Sequence, residues 1–242
     1  ALGLVCDAEA GARALADRLL ARSLGDGRMH ESQREGGQSP GSERAAALRS
    51  AVRAETHYHQ EVQAFFEAVV DAAPDAIIVG DSTRPTYYAA WQLERSRPRS
   101  YFHSASGFGT LGYALPAAFG AALAGVEPVI ALIGDGGIQF TLPELSTAAE
   151  QKLPVPVIVW HNQGYREIEN SMRARNVPVD STRIDAPDFA AAAAAHGAGY
   201  AMPESLAELT AAISAALSAS APTLIEVRED TFLKTPSGGW YQ

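Results

Sequence analysis

The sequence predicts an α/β protein, a parallel sheet covered by helices on both faces. Three observations lead there. Short apolar runs rich in β-branched residues and bounded by Pro or Gly, chiefly Val129–Ile133 and Val155–Trp160, read as strands buried on both sides. Segments of helical periodicity stand between such runs, and that alternation implies parallel neighbours joined by crossovers. Polar, glycine-rich strings fall just after the runs, at the carboxyl ends of strands, where open α/β sheets bind ligands.

The elements follow in order. Leu2–Cys6 reads as a strand and Ala10–Leu24 as an amphipathic helix. Gly25–Ser42 is rich in Gly, Ser and charge and carries Pro40, so it reads as linker, with Glu43–Glu55 helical in composition. The division expected is therefore 1–25 as the end of one α/β domain, 26–56 as linker, and 57–242 as a second domain. Glu61–Ala73 is an amphipathic helix with Phe65, Phe66, Val69 and Val70 on its apolar side, ended by Pro74-Asp75. Then come a strand at Ala76–Val79, a helix around Tyr87–Glu94, a strand at Ser100–His103, and a helix from Gly112 to Ala124. After Val129–Ile133 a helix follows Pro143, whose missing N–H costs nothing in a first turn. After Val155–Trp160 come a helix at Asp188–His196, a short strand at Tyr200–Met202, a helix at Ser205–Ser218 and a strand at Thr223–Arg228.

Composition narrows the function. The chain has 242 residues, 47% hydrophobic and 19% charged, enough to bury a sizeable core. A formal charge of −9 argues against a nucleic-acid surface, which needs a basic face. No apolar run reaches membrane-spanning length, and no signal-peptide pattern opens the chain. The one cysteine, Cys6, excludes an internal disulfide and suits a reducing cytoplasm; as a small hydrophobe on a strand it needs no further role.

Chemistry concentrates in two strings. Gly134-Asp135-Gly136-Gly137 follows one buried strand, and His161-Asn162-Gln163-Gly164 follows the next. Asp135 and Asn162 are 27 positions apart. Neighbouring parallel strands release their next residues at one sheet edge, so a carboxylate and an amide oxygen meet there. Hard oxygens in so sparse a set suit Mg²⁺, which completes its shell with phosphate oxygens and water. Glycines around Asp135 let backbone approach a phosphate. A second pattern competes: Gly107-x-Gly109-x-x-Gly112 follows a short strand, opens a helix and precedes an acidic residue, as in dinucleotide-binding turns. That reading leaves the strings at Asp135 and Asn162 unexplained. The histidines show no metal-ligand spacing, and His103 alone lies near one of these blocks.

These strings resemble the thiamine diphosphate motif, Gly-Asp-Gly followed about 25 residues later by Asn. Other blocks of that family appear in order: Asp81-Ser82-Thr83, Gly107-Phe108-Gly109-Thr110-Leu111-Gly112-Tyr113-Ala114-Leu115-Pro116-Ala117-Ala118, and the closing Pro222-Thr223-Leu224-Ile225-Glu226-Val227. The resemblance runs from Glu61 to Arg228 and is to the acetolactate synthase and 2-oxo acid decarboxylase branch. Two departures stand out: His161, where many members have Asn, and Arg166, where a small residue is common. Gly80-Asp81-Ser82-Thr83, Ser106–Tyr113 and Gly164-Tyr165-Arg166-Glu167-Ile168 are similar to decarboxylases of basic 2-oxo acids such as 5-guanidino-2-oxopentanoate.

The resemblance implies thiamine diphosphate and Mg²⁺ as cofactors. Asp135, Asn162 and the carbonyl of Gly164 would hold the metal. Ser82 and Thr83 would donate to the diphosphate, with Arg84 nearby. Gly134, Gly136 and Gly137 would bring backbone to it. Leu111 would wedge the cofactor bent, and the Gly109 carbonyl would accept from its amino group. Tyr165 would touch the cofactor and, with Ile168, face the substrate. The family's essential Glu lies on a pyrimidine-binding domain, normally of a second subunit, and no Glu here takes that part. The implied protein is thus a homodimer or homotetramer acting on a small 2-oxo acid. The expectation is also that the chain begins inside a central domain and that alone it is inactive. Decarboxylation is the activity implied, with acetolactate synthase-type carboligation or a non-catalytic cofactor-binding subunit as alternatives.

Overall fold

The sheet has six strands: β1 (Ile77–Gly80), β2 (Tyr101–His103), β3 (Val129–Gly134), β4 (Pro156–His161), β5 (Gly199–Ala201) and β6 (Thr223–Arg228). They lie in the order β2-β1-β3-β4-β6-β5, and every pairing is parallel. These come from a computed structural model that describes residues 40–54, 57–95, 97–126 and 128–233. The strand expected at Leu2–Cys6, the helix at Ala10–Leu24 and most of the linker lie outside the described residues.

Ten helices accompany the sheet among the described residues: α1 (Pro40–Ala54), α2 (His57–Ala72), α3 (Arg84–Gln92), α4 (Ala114–Leu123), α5 (Asp135–Ile138), α6 (Glu144–Glu150), α7 (Arg166–Ala174), α8 (Phe189–Ala195), α9 (Leu206–Leu217) and α10 (Glu229–Phe232). The chain divides into two compact units, Ala1–Ser50 and Ala51–Gln242, and α1 crosses the division. The sheet and the candidate site belong to the second unit.

Local chemistry explains the boundaries. α3 starts three residues before the expected Tyr87 because Pro85 presets the first turn behind an extended Thr83 at φ −137°. Asp188 caps α8 by accepting from Ala191 N at 3.0 Å, and Ser205 caps α9 by accepting from Glu208 N at 3.3 Å. Three helices escape the sequence pattern. α5 carries Gly136 and Gly137, poor helix formers. α10 is a single turn. α7 presents charge on the side that packs, with Glu169 buried.

β1, β3, β4 and β6 bury both faces, so alternate residues feed two cores, while the edge strands β2 and β5 are partly exposed. On one face Phe65 and Phe66 of α2 and Leu209 and Ile213 of α9 pack against Ile130, Leu132, Ile158 and Trp160. Phe65 meets Trp160 edge-on at 5.2 Å between ring centroids. On the other face Leu115 and Phe119 of α4, Leu145 of α6 and Phe189 of α8 cover Ile133, Val157 and Val159. Truncating a ring such as Phe65 to Ala costs about 3–5 kcal/mol in such a core. Helices on both faces match the fold class expected. Among the described residues no helix is long and apolar enough to cross a membrane.

Strand order places the site. β1 has β2 on one side and β3 on the other, so the connections at its carboxyl end part and leave a crevice. Gly134 pairs with Trp160 across β3 and β4. Asp135 therefore leaves the sheet level with His161, one residue before Asn162.

Candidate functional site

A cavity of about 230 Å³ opens at this edge. The segment after β1 contributes Ser82, Thr83 and Arg84; the end of β3 and α5 contribute Gly134, Asp135, Gly136 and Gly137; the loop after β4 contributes Asn162, Gly164 and Tyr165. Gly109 and Leu111 close one side, and Ile168 and Glu167 of α7 another. Every residue that the sequence assigns to cofactor, metal or substrate thus lines one cavity. His103 does not line it. Its ring stacks on Tyr101, its Nε2 pairs with Ser106 Oγ at 2.9 Å, and burial pushes its pKa down.

Asp135 is 2% exposed. Its Oδ1 accepts from Gly136 N at 2.8 Å, and its Oδ2 accepts from Asn162 N at 3.1 Å and Gln163 N at 2.6 Å. The carboxylate is therefore oriented by backbone from two strand ends. Burial pushes its pKa up, against the pull of His161 and of these three N–H groups. In the first of these bonds the Gly136 N–H serves the carboxylate of its own neighbour. Gly136 also makes room. A Cβ there would stand 2.6 Å from Cε1 of Tyr165, so the glycine lets that ring close over the loop.

Asn162 donates from Nδ2 to Glu229 Oε2 at 3.0 Å. Its Oδ1 is buried and has no hydrogen-bond partner. Gly164 is held by a strand-like bridge to Arg183, and a Cβ on it would overlap the Thr182 carbonyl oxygen. Tyr165 N donates to Thr182 O at 2.7 Å and Ile184 N to Gln163 O at 3.2 Å, which pins the loop on both sides. One carboxylate, one unpaired amide oxygen and a peptide-rich loop form an oxygen-donor set. Among the described residues no three His, Cys, Asp or Glu side chains converge as a metal cluster. This donor set fits Mg²⁺ bound jointly with phosphate and not a softer ion.

Around these oxygen donors lies a charged frame that the motifs do not announce. Arg84, 2% exposed, donates from Nε to Glu167 Oε1 and from Nη1 to Glu229 Oε1, both at 2.7 Å. Glu229 also accepts from Trp160 Nε1 at 2.7 Å. Burial pushes the Glu167 carboxyl up, Arg84 opposes that, and Glu229 adds to it. His161 sits between two carboxylates, with Nδ1 2.6 Å from Glu226 Oε1 and Nε2 3.9 Å from Asp135 Oδ2. Glu226 Oε2 in turn accepts from Tyr200 at 2.7 Å, and burial raises that phenol's pKa. Arg166, the other departure, reaches Glu169 at 3.1 Å and donates to the Asn162 carbonyl at 3.2 Å. Glu229 was findable: like Asp81, Asp135 and Asn162, it lies immediately past a strand end.

Residues 80–227, more than half of the chain, match the C-terminal TPP binding domain of thiamine pyrophosphate enzymes. The chain belongs to the thiamine pyrophosphate enzyme family. Membership decides the glycine pattern at Gly107–Gly112 in favour of this cofactor class over a dinucleotide. The chain is 35% identical over 197 residues to a probable 2-ketoarginine decarboxylase of Pseudomonas aeruginosa, covering 78% of this chain and 34% of that one. It is 34% identical over 189 residues to the acetolactate synthase large subunit of Parasynechococcus marenigrum, covering 75% and 30%. Among solved structures, the thiamine diphosphate-dependent 4-hydroxybenzoylformate decarboxylase of Rhodococcus jostii superposes with a TM-score of 0.62 at 36% identity, covering 69% of this chain and 32% of that one. The chain thus spans about a third of the length of the relatives it matches.

Proposed function

We propose that this chain supplies the diphosphate- and metal-binding part of a thiamine diphosphate- and Mg²⁺-dependent 2-oxo acid decarboxylase of the cytoplasm. The observation that carries it is the buried, unpartnered Oδ1 of Asn162 beside the oriented carboxylate of Asp135. An unpaired acceptor in so enclosed a place is costly unless something fills it, and a divalent cation would satisfy both oxygens. Asp135, Asn162 and the Gly164 carbonyl would hold the metal. Ser82 and Thr83 would donate to the diphosphate, and Gly134, Gly136 and Gly137 would let it lie close to the backbone. Leu111 would keep the cofactor bent, the Gly109 carbonyl would accept from its amino group, and Tyr165 and Ile168 would meet cofactor and substrate. The bound cofactor supplies an electron sink for loss of CO₂, while the protein supplies placement and exclusion of water.

A pyrimidine-binding domain, carrying the Glu that no residue here replaces, would complete the site from a second subunit of a homodimer or homotetramer. The cavity's surroundings support that. Phe108 and Phe140 are exposed at 104% and 63%, next to the Gly109 and Gly112 loops, and Ile168 is 53% exposed on the cavity wall. Such a cluster of exposed apolar side chains suits a covering partner. Similarity to the 2-ketoarginine decarboxylase favours a basic 2-oxo acid such as 5-guanidino-2-oxopentanoate. Similarity to the acetolactate synthase supports carboligation as the second reading.

The test is thermal unfolding with thiamine diphosphate, with and without Mg²⁺ and with a chelator. A rise in Tm that needs both ligands is expected; a rise with cofactor alone would overturn the metal assignment. CO₂ release by the chain together with a pyrimidine-binding domain, from 5-guanidino-2-oxopentanoate, pyruvate and benzoylformate, then separates the substrate readings.

A further inference from the structure

Glu229 opens α10 directly after β6 and does not line the cavity, yet its carboxylate collects three donors: Asn162 Nδ2 at 3.0 Å, Trp160 Nε1 at 2.7 Å and Arg84 Nη1 at 2.7 Å. Its side chain is 14% exposed. A carboxamide has two ends of nearly equal shape and opposite hydrogen-bonding character. Packing alone does not choose between them. An ionised carboxylate does, because it only accepts. With Glu229 behind it, Asn162 must turn Nδ2 inward, which leaves Oδ1 facing away, buried and unpartnered. Arg84 and Trp160 in turn leave Glu229 little freedom, since they bind both of its oxygens from α3 and β4. Arg84 is itself braced by Glu167 at 2.7 Å. The clasp therefore runs from four elements, α3, β4, α7 and α10, onto one amide group.

We propose that Glu229 is a positioning residue that fixes which end of the Asn162 amide is presented to the metal, and through it sets the affinity for Mg²⁺. This rests on the reading of Asn162 as a metal ligand. In Glu229→Gln the glutamine oxygen goes to the buried Arg84 cation. Its amide then takes the place of Oε2, so Trp160 Nε1 loses its acceptor and Asn162 turns over to accept from the glutamine. The cavity is left with an N–H₂ group where the metal needs an oxygen. The complementary exchange undoes this. In Asn162→Asp/Glu229→Gln, one oxygen of residue 162 accepts from the glutamine amide and the other is free for the metal.

The experiment measures the Mg²⁺ concentration that gives half-maximal stabilisation at saturating thiamine diphosphate, on the full chain, with circular dichroism to establish folding. Glu229→Gln and Asn162→Asp should each raise it by about 10-fold to 100-fold, the range for outer partners of metal ligands, and the exchange should return it to within about threefold of the wild type. Loss of Tm with an unchanged Mg²⁺ midpoint in Glu229→Gln would mean a merely structural role and overturn the proposal. So would an exchange no better than the single variants. If Glu229→Gln does not fold, the exchange alone decides, and failure of the exchange to fold also overturns it. A wild type whose stabilisation ignores Mg²⁺ would overturn the metal assignment itself, a result distinct from a metal-responsive wild type with an indifferent Glu229→Gln.

Discussion

Asp81 and Asp135 occupy the same place on adjacent strands. Each follows a glycine at the end of a parallel strand, Gly80 on β1 and Gly134 on β3. Each is almost wholly buried, at 0% and 2% exposed. Burial pushes both carboxyls up, and backbone N–H groups pull both back. Asp81 accepts from Ser82 N at 2.9 Å and from Ala114 N at 3.0 Å, and so ties the start of α4 to β1. Asp135 ties the loop after β4 to β3 in the same way. They differ in surroundings. Asp81 lies beneath Gly137, where a Cβ would stand 3.1 Å from its Oδ1, and it does not line the cavity. Asp135 lines it, next to an unpartnered amide oxygen. A strand-end aspartate is thus a staple by default, and access to a cavity with further oxygen donors is what suits it to a metal.

The sharpest way to break that contrast is Asp81→Ala. Two buried N–H groups lose their acceptor, at about 1–3 kcal/mol each. Thermal unfolding without ligands should show a Tm lower by roughly 5–15 °C, at about 2–4 °C per kcal/mol for a chain of this size. The increment from thiamine diphosphate with Mg²⁺ should survive. An intact Tm would refute the staple. Asp135→Asn should do the reverse. The amide keeps one acceptor and removes a buried charge, so the ligand-free Tm should move by only about 2–4 °C. The Mg²⁺-dependent increment, about 2.7 kcal/mol at a hundredfold excess over Kd, should vanish. The smallest effect comes from a carboxylate of neither kind. The hydrogen bond from Arg173 at 2.7 Å, with Arg166 in support, holds Glu169 below its ordinary value. A depressed carboxyl contributes stability above pH 4.5, its ordinary value, that is lost as pH falls through its folded value. Arg173 is 65% exposed, so Arg173→Ala should cost only about 0.2–0.5 kcal/mol in urea unfolding at pH 7. At pH 3 the difference should shrink toward zero; a constant difference would point to packing.

What the sequence discloses here is governed by distance along the chain. Strand ends are local events, marked by a β-branched run and a glycine, so Asp81, Asp135 and Asn162 are placed correctly without any structure. Pro143 likewise marks a helix start locally, and Pro85 carries the same mark at a helix expected to start three residues later than it does. Glu229 carries the same strand-end mark, but its meaning comes from Trp160, Asn162 and Arg84, which the topology brings to it. His161 and Arg166 read only as departures until Glu226 and the Asn162 carbonyl appear beside them. The Thr182–Ile184 segment that pins the loop after β4 has no periodicity at all.

The clasp around Asn162 has a kinetic consequence. Asp135 and Asn162 are 27 residues apart, Asn162 and Glu229 are 67 apart, and Arg84 and Glu229 are 145 apart. Parallel sheets pair only through such long loops, and chains dominated by distant contacts fold slowly. During synthesis from the amino terminus, β1, β3 and β4 can assemble while Glu229 is still to be made. Until β6 takes its place between β4 and β5, nothing decides how the Asn162 amide faces, and the Arg84 guanidinium lacks one of its two carboxylates. On the proposed reading of Asn162 as a metal ligand, the metal site is therefore completed only with β6, and an ion that arrives earlier meets an amide free to present either end.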